Sequence, residues 1–389
     1  MNKINEITRL FPSSVNEKIN WTALEASPFG SFLTAMSDTP QNPEYHAEGD
    51  VYTHTKMVCE ELVKTERFWS LLPIKRNILF LSALLHDVGK ITCTRLEDGC
   101  WTSPGHAQAG ALAVRMFLWT ECGLSGEYEA MIFRESVCTL IRYHSLPAYA
   151  ILREDGGRAL IKAASTGKVL ADFSAELLMM LSEADARGRK CADQDDYLER
   201  VLLSGELAKD MGCFFEPCRF ANPYTEFAYM QGRNIVPDAE LYDDTWGEVI
   251  IMSGLPGTGK DTFIKNNLSN LPMISLDDIR RELKISPTEP QGRVADEARK
   301  RARELLRNKT PFVWNATNIT WVTRSRIVDL ISSYGAAAKI VYLETTWEEL
   351  LSRNGGRKEV VPNAEIMKML GKLTPPEAFE GQYVEWNCV

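Results

Sequence analysis

The chain has 389 residues, 44% of them hydrophobic and 25% charged, and a formal net charge of −9. This balance excludes a disordered, fibrous or disulfide-stapled chain, and the acidity argues against a protein that coats nucleic acid through bulk positive charge. The length predicts two or three domains. No run approaches the roughly 20 apolar residues of a membrane span. The start, MNKINEITRLFPSS, lacks the apolar core of a secretory signal, and nine scattered cysteines without a CxxC pair read as reduced thiols. A cytoplasmic protein with no membrane partner is expected. The charge is uneven: residues 247–389 carry 20 Lys and Arg against 18 Asp and Glu, and the preceding residues 24 against 35.

Apolar residues recur at helical spacing in residues 77–90, 109–123 and 173–188. They predict an all-α domain over 1–212. Residues 213–246, punctuated by Pro217, Pro223, Gly232 and Pro237, read as a linker, with short extended pieces. From Gly247 the period changes. Strand-like runs at EVIIMS, MIS, PFVWN and AKIVYLE alternate with helical runs, among them ADEARKRARELLRN and TRSRIVDLISSYG. That alternation predicts an α/β domain with a parallel sheet over 247–389. The basic face of the ADEARKRARELLRN helix reads as solvated, and Trp314 and Trp321 read as buried.

Gly254-Leu255-Pro256-Gly257-Thr258-Gly259-Lys260-Asp261-Thr262 follows the first of these strands and opens a helix. This is the GxxxxGK core of a Walker A loop. Its glycines, Gly254, Gly257 and Gly259, let backbone N–H groups turn inward around phosphate oxygens, helped by Thr258, and Lys260 reaches the β- and γ-phosphates. The position after the lysine usually carries a hydroxyl for Mg²⁺; here it is Asp261, which can hold the metal or cap the helix, and Thr262 can donate to the α-phosphate. ATP or another nucleoside triphosphate with Mg²⁺ is the expected cofactor. Asp277 and Asp278 end the second strand, at the edge where open parallel sheets bind ligands. Asp277 can take an acceptor proton and Arg280 can hold an acceptor phosphate, whereas Asp278 reads as a helix cap. Arg353 and Arg357 flank Gly355-Gly356 and suggest a mobile lid over the phosphates.

Taken together, the loop, Asp277-Asp278-Ile279-Arg280, Asn315-Ala316-Thr317-Asn318 and Arg353 to Arg357 with Val361-Pro362 resemble the 5′-OH polynucleotide kinase family. The resemblance implies Lys260 on the phosphates, Asp277 as general base, Arg280 on the acceptor phosphate, and Arg353 and Arg357 as lid arginines at the nucleotide. The sequence departs from the family at Asp261 and at Ala316, where the bacteriophage enzyme that typifies the family has a carboxylate; Thr317 and Asn318 read equally as packing residues.

All five histidines lie before residue 145. His86-Asp87 ends an apolar helix in ALLHDVGK, with His54 upstream and His106, His144 and Asp185 downstream. Imidazole and carboxylate together suit divalent transition metals. The order H…HD…H…H…D, with the HDVGK and GHAQAG strings, resembles the HD-domain phosphohydrolase superfamily. It implies His54, His86, Asp87 and Asp185 at one metal, His106 and His144 completing a second, and Lys90 on the scissile phosphate. His46, Glu48 and Asp50 read as loop residues, and Cys59 and Cys93 as packing residues. As a whole the chain resembles end-healing enzymes of the HD–polynucleotide kinase type. That implies RNA or DNA ends as substrates, a kinase acting on the 5′-OH, a phosphoesterase acting on the 2′,3′ end, and a separate ligase as a possible partner. The alternatives left open are a P-loop kinase of a small molecule with a nucleotide-hydrolysing HD domain, and an HD domain that senses a nucleotide without hydrolysing it.

Overall fold

A computed structural model describes residues 3–15, 17–286, 289–357 and 359–389. The chain forms two compact units, Met1–Cys218 and Arg219–Val389. The expected linker divides between them. Cys213, Phe214 and Cys218 are buried, and the Phe214 carbonyl accepts from Glu176 N within the first unit. Residues after 218 fold with the second unit. Asn222 caps the Pro223–Met230 helix, Phe227 packs on the core of the α/β sheet, and Trp246 Nε1 donates to the Tyr334 carbonyl at 2.8 Å. The prolines that suggested a linker sit instead at a helix start (Pro223) and in ordered turns.

Among the described residues, the regular structure of the first unit is helical apart from one small hairpin, β1 (Arg95–Glu97) and β2 (Cys100–Thr102). Its turn, Asp98-Gly99, has positive φ at both residues (50° and 82°), the geometry a two-residue hairpin favours. Two of the helices that build the interior are Pro73–Leu85, buried from Ile78 to Leu85, and Tyr128–Tyr143, buried from Ala130 to Ile141. Gly89 sets their relation to the His106–Thr120 helix. A Cβ there would overlap the His106 carbonyl and stand 2.5 Å from Gly110 N. Only a glycine lets the turn after Asp87 press against the start of the next helix.

Between the His106–Thr120 and Tyr128–Tyr143 helices lies a buried ion cluster. Arg115 Nε donates to both Glu135 oxygens at 2.9 Å, Arg134 Nε donates to Glu135 Oε1 at 2.8 Å, and the Arg134 guanidinium stacks 4.2 Å over Trp119.

The second unit is a five-stranded sheet: β3 (Glu248–Ser253), β4 (Met273–Ser275), β5 (Val313–Asn315), β6 (Ala337–Glu344) and β7 (Tyr383–Cys388), in the order β4-β5-β3-β6-β7, all parallel. Alternate β3 residues enter opposite layers: Val249 and Ile251 join one core, Ile250 and Met252 the other. The Gly292–Arg307 helix buries Val294, Ala298, Ala302 and Leu306, four residues apart, and leaves its charged face outside. The buried Arg324 of the Trp321–Ser332 helix donates to Glu380 through two hydrogen bonds of 2.6 and 2.7 Å and so ties the segment before β7 to that helix. Trp314 is buried as expected, but Trp321 is 50% exposed at a helix start.

Burial alone would raise the Glu135 carboxyl; Arg115 and Arg134 more than reverse this and hold it below its ordinary range. Its contribution is therefore complete above the ordinary glutamate range and is lost as pH falls through the lower folded value. Glu135→Ala is expected to cost about 3 kcal/mol by stranding buried arginines, and denaturant melts at descending pH will show the wild type converging on the variant.

Candidate active sites

In the helical unit, five elements deliver the histidines and aspartates to one place. His54 lies in the Val51–Val63 helix, His86 and Asp87 follow the Pro73–Leu85 helix, His106 opens its helix, His144 follows the Tyr128–Tyr143 helix and Asp185 sits in the last turn of Ala175–Gly188. Around Asp87, His86 Nε2 stands 3.3 Å away, His106 Nε2 3.5 Å, His54 Nε2 3.8 Å and His144 Nε2 3.9 Å. His106 and His144 face each other, Nε2 to Nε2, at 3.4 Å. Asp185 joins through His54 Nε2 at 3.0 Å and is gripped by Arg189 at 3.0 and 3.1 Å. Lys90 Nζ reaches Asp87 at 2.7 Å and Gln41 Oε1 at 2.7 Å.

Three imidazoles are oriented by local backbone. The Nδ1 of His86 donates to the Ala83 carbonyl (2.9 Å), that of His106 to Ser103 (2.9 Å) and that of His144 to Ile141 (2.7 Å). Each bond puts the proton on Nδ1 and leaves a lone pair on Nε2 aimed at Asp87. Burial pushes His144 down to about 3 and lowers His106, so both are neutral, the form that ligates. Burial alone would raise Asp87, but Lys90 and His86 beside it hold the carboxyl well below its usual range.

These donors fit divalent cations. His86 Nε2 and Asp87 Oδ1 are buried without a hydrogen-bond partner, and the sets His54–His86–Asp87 and Asp87–His106–His144 each bring their ligand atoms within 4.8 Å of one another. Divalent cations held by such sets polarise a phosphoester and acidify water.

Two residues set aside as loop residues belong to this site. Glu48 Oε1 lies 2.9 Å from His54 Nδ1 and 2.8 Å from His46 Nδ1, so it orients the His54 ring from behind, and His46 Nε2 stands 3.5 Å from Lys90 Nζ. Asp50 caps the His54 helix through Thr53 N. Arg189 and Gln41 also escaped the sequence reading. The i, i+4 spacing of Asp185 and Arg189 carried a signal for one; nothing local marked the other. Cys59 is buried, as expected, while Cys93 is only partly so.

In the α/β unit the glycine loop follows β3, at the carboxyl edge of the sheet and between its two neighbours. Gly254 has φ 146°, and a Cβ there would stand 2.5 Å from the Leu343 carbonyl oxygen. Gly257 and Gly259 also have positive φ, and Thr258 donates to the Leu255 carbonyl. Lys260 Nζ donates to the loop carbonyls of Gly254 (2.9 Å) and Leu255 (2.8 Å). Burial lowers it to about 8. Asp261 is exposed, as is Thr262, and accepts from Asn315 Nδ2 at 2.7 Å. It therefore bridges the first helical turn to the end of β5, a link that a capping role did not anticipate. Asn318 is a structural residue: its Nδ2 donates to the Met252 carbonyl, and Gly254 N donates to Thr317 O.

Asp277 pairs with Arg280, and Arg357 stands 3.7 Å from its other oxygen. Arg280 is also held by Gln291 at 2.7 Å. Asp278 is not the cap: Ser275 Oγ accepts from Asp278 N, while the Asp278 carboxylate pairs with Arg281. Arg353 and Arg357 lie on either side of the end of the Trp347–Gly355 helix. Arg353 belongs to the Trp347–Gly355 helix, bonded to Glu349 at 2.7 Å, with its guanidinium against Gly259. The buried Asn354 side chain clamps Val361 with bonds of 2.8 and 3.1 Å.

Comparison with known proteins agrees with this division. A family model described as an HD domain matches residues 51–181, and one described as an AAA domain matches residues 249–376. The chain joins an HD hydrolase-type domain to a P-loop kinase-like domain. A multifunctional CCA protein of Hahella chejuensis is 29% identical over 177 residues, 45% of this chain and 37% of that protein. Another, from Cupriavidus metallidurans, is 27% identical over 239 residues, 55% of this chain and 52% of that protein. An L-seryl-tRNA(Sec) kinase of Methanococcus maripaludis is 26% identical over 136 residues, 33% of this chain and 53% of that protein. The matched segments thus span about half or less of these curated relatives. Among the described residues no helix is long and apolar enough to cross a membrane.

Two outcomes are expected. Elemental analysis of protein incubated with Mn²⁺ or Ni²⁺ and desalted will show bound metal, reduced by Asp87→Ala, because one side chain serves both donor sets. Triphosphate affinity will fall as pH rises past about 8, where free Lys260 loses its charge, and titration of Lys260→Ala will show no such break.

Proposed function

We propose that the chain heals broken nucleic-acid ends. In this reading the α/β unit transfers the γ-phosphate of a nucleoside triphosphate to a 5′-OH end. Asp277 takes or orients the hydroxyl proton, Lys260 and the loop amides hold the triphosphate, and Arg280 holds the acceptor's neighbouring phosphate. Arg353 and Arg357 bear charge on the transferring group. Asp261 would help hold Mg²⁺, which when bound would supply charge stabilisation to the triphosphate. The helical unit is a phosphoesterase for 2′,3′ ends: His54, His86, Asp87, His106, His144 and Asp185 hold divalent cations, and Lys90 binds the phosphate. RNA or DNA ends are then the substrates, and a separate ligase would join what the two sites prepare.

One observation carries this reading. Asp277 is flanked by two arginines, Arg280 and Arg357, which suits an acceptor that brings negative charge next to its hydroxyl. The names of the relatives lend support, since two are CCA proteins and one is a kinase of a tRNA-borne seryl group. That last name also favours a second reading, a kinase whose acceptor hydroxyl is not a 5′ end.

Transfer of labelled phosphate to a 5′-OH oligonucleotide tests the first. Asp277→Ala is expected to lower that transfer by about 10²–10⁴-fold, the usual contribution of a positioned base, and to spare 2′,3′-phosphoesterase turnover. Asp87→Ala is expected to do the reverse. Transfer to a seryl-bearing RNA but not to a 5′-OH end would select the second reading.

A further inference from the structure

The metal-donor cluster is the floor of a cavity of about 500 Å³. That is far more room than a phosphate group needs and lies within the roughly 300–1,000 Å³ typical of sites that enclose a whole small molecule. Its walls divide by chemistry. Asp87, His106, His144 and Asp185 line the inner end, and Lys90, Arg189 and Arg200 supply positive charge. Among the other lining residues, which include polar Gln41, Asn42, Ser103, Ser145 and Asp193, are four aromatic rings, Tyr45, Trp101, Tyr149 and Tyr197, contributed by four separate segments.

Two of these rings stand open: Tyr149 is 51% exposed and Tyr45 46%. Large rings left half in water beside a charged cavity are not core residues. Their positions are nonetheless fixed. Tyr149 meets the buried Tyr197 edge-on, with centroids 6.3 Å apart at 88°. Tyr197 is in turn stacked by the Arg189 guanidinium at 4.2 Å, the same group that grips Asp185. Tyr45 belongs to a loop pinned to the segment after Arg189: Ala47 N donates to the Lys190 carbonyl (2.9 Å), and Lys190 N to Glu48 Oε2 (2.9 Å). Trp101 rides on β2 of the hairpin, the one strand pair of the helical unit among the described residues.

We propose that Tyr45, Trp101 and Tyr149 form a base-stacking subsite, so that the phosphoesterase recognises the terminal nucleoside as well as its phosphate. Aromatic faces accept any base without reading its edge. The subsite therefore confers selectivity for nucleosides over other phosphoesters and little preference among bases. This rests on the phosphoesterase reading above and assigns its substrate class.

The test uses the full chain carrying Lys260→Ala, so that the P-loop takes no part. With Mn²⁺ present, hydrolysis of cytidine 2′,3′-cyclic phosphate is compared with that of the 2′,3′-cyclic phosphate of methyl riboside, which lacks a base. Calorimetric binding of cytidine 2′-monophosphate to the chelator-treated protein gives a second readout. Tyr149→Ala and Trp101→Ala are each expected to raise KM and Kd for the cytidine ligands about five- to tenfold. They should leave kcat within twofold and the methyl riboside reaction unchanged. Tyr149→Phe, which keeps the ring, should behave as wild type. Equal effects on both substrates, or none on the cytidine ligands, would overturn the subsite while leaving the phosphoesterase intact. Wild-type inactivity on both substrates would overturn the phosphoesterase reading and the subsite with it.

Discussion

The site in the helical unit depends first on a backbone contact. The turn after Asp87 lies against the start of the His106–Thr120 helix at a distance that admits no Cβ on Gly89. A helix such as Pro73–Leu85 can present only adjacent residues at its end. The remaining donors must come from elsewhere, and the precision with which they arrive is set by how closely helices pack. Gly89 brings His106 to within 3.5 Å of Asp87, and the Arg115–Glu135–Arg134 cluster holds the helix bearing His106 to the one that ends at His144. The polar centre is thus assembled from rigid pieces, with the desolvation of its charges offset by one another.

The α/β unit solves a different problem with different means. Its triphosphate loop is backbone, shaped by glycines at the central strand, and its polar side chains sit at strand ends and in the first turns of the helices that follow. Lys260 bonds to the loop's own carbonyls, so its ammonium is held against the turn that the glycines shape. Asp277 likewise is already neutralised by arginines.

Much of this was readable in the sequence. The switch from helical spacing to alternating strands and helices located both units, because each period follows from burying one face. HDVGK and the glycine loop were legible since both are local: each demands glycine at a fixed step from a chemical group. What stayed hidden was non-local or weakly patterned. Glu48 and His46 lie in a polar loop with no periodicity, and only the tertiary fold sets them behind His54. β7 escaped because Glu385 and Asn387 interrupt its apolar pattern at the sheet edge. The proline-rich stretch misled because proline also starts helices, as at Pro223. Nothing local in the sequence signalled that Asn354, beside the Gly355-Gly356 pair, is buried and bonded through its amide to Val361.

The carbonyl bonds that fix His86, His106 and His144 have a consequence for cation economy. They expose nitrogen, a borderline-soft donor, toward one polar centre, whereas a triphosphate offers hard oxygen. Nitrogen donors discriminate against magnesium and oxygen donors accept it. The two units thus present donor sets of different hardness, imidazole nitrogen beside carboxylate in one and phosphate oxygen in the other, so a divalent ion suited to one set is not automatically suited to the other.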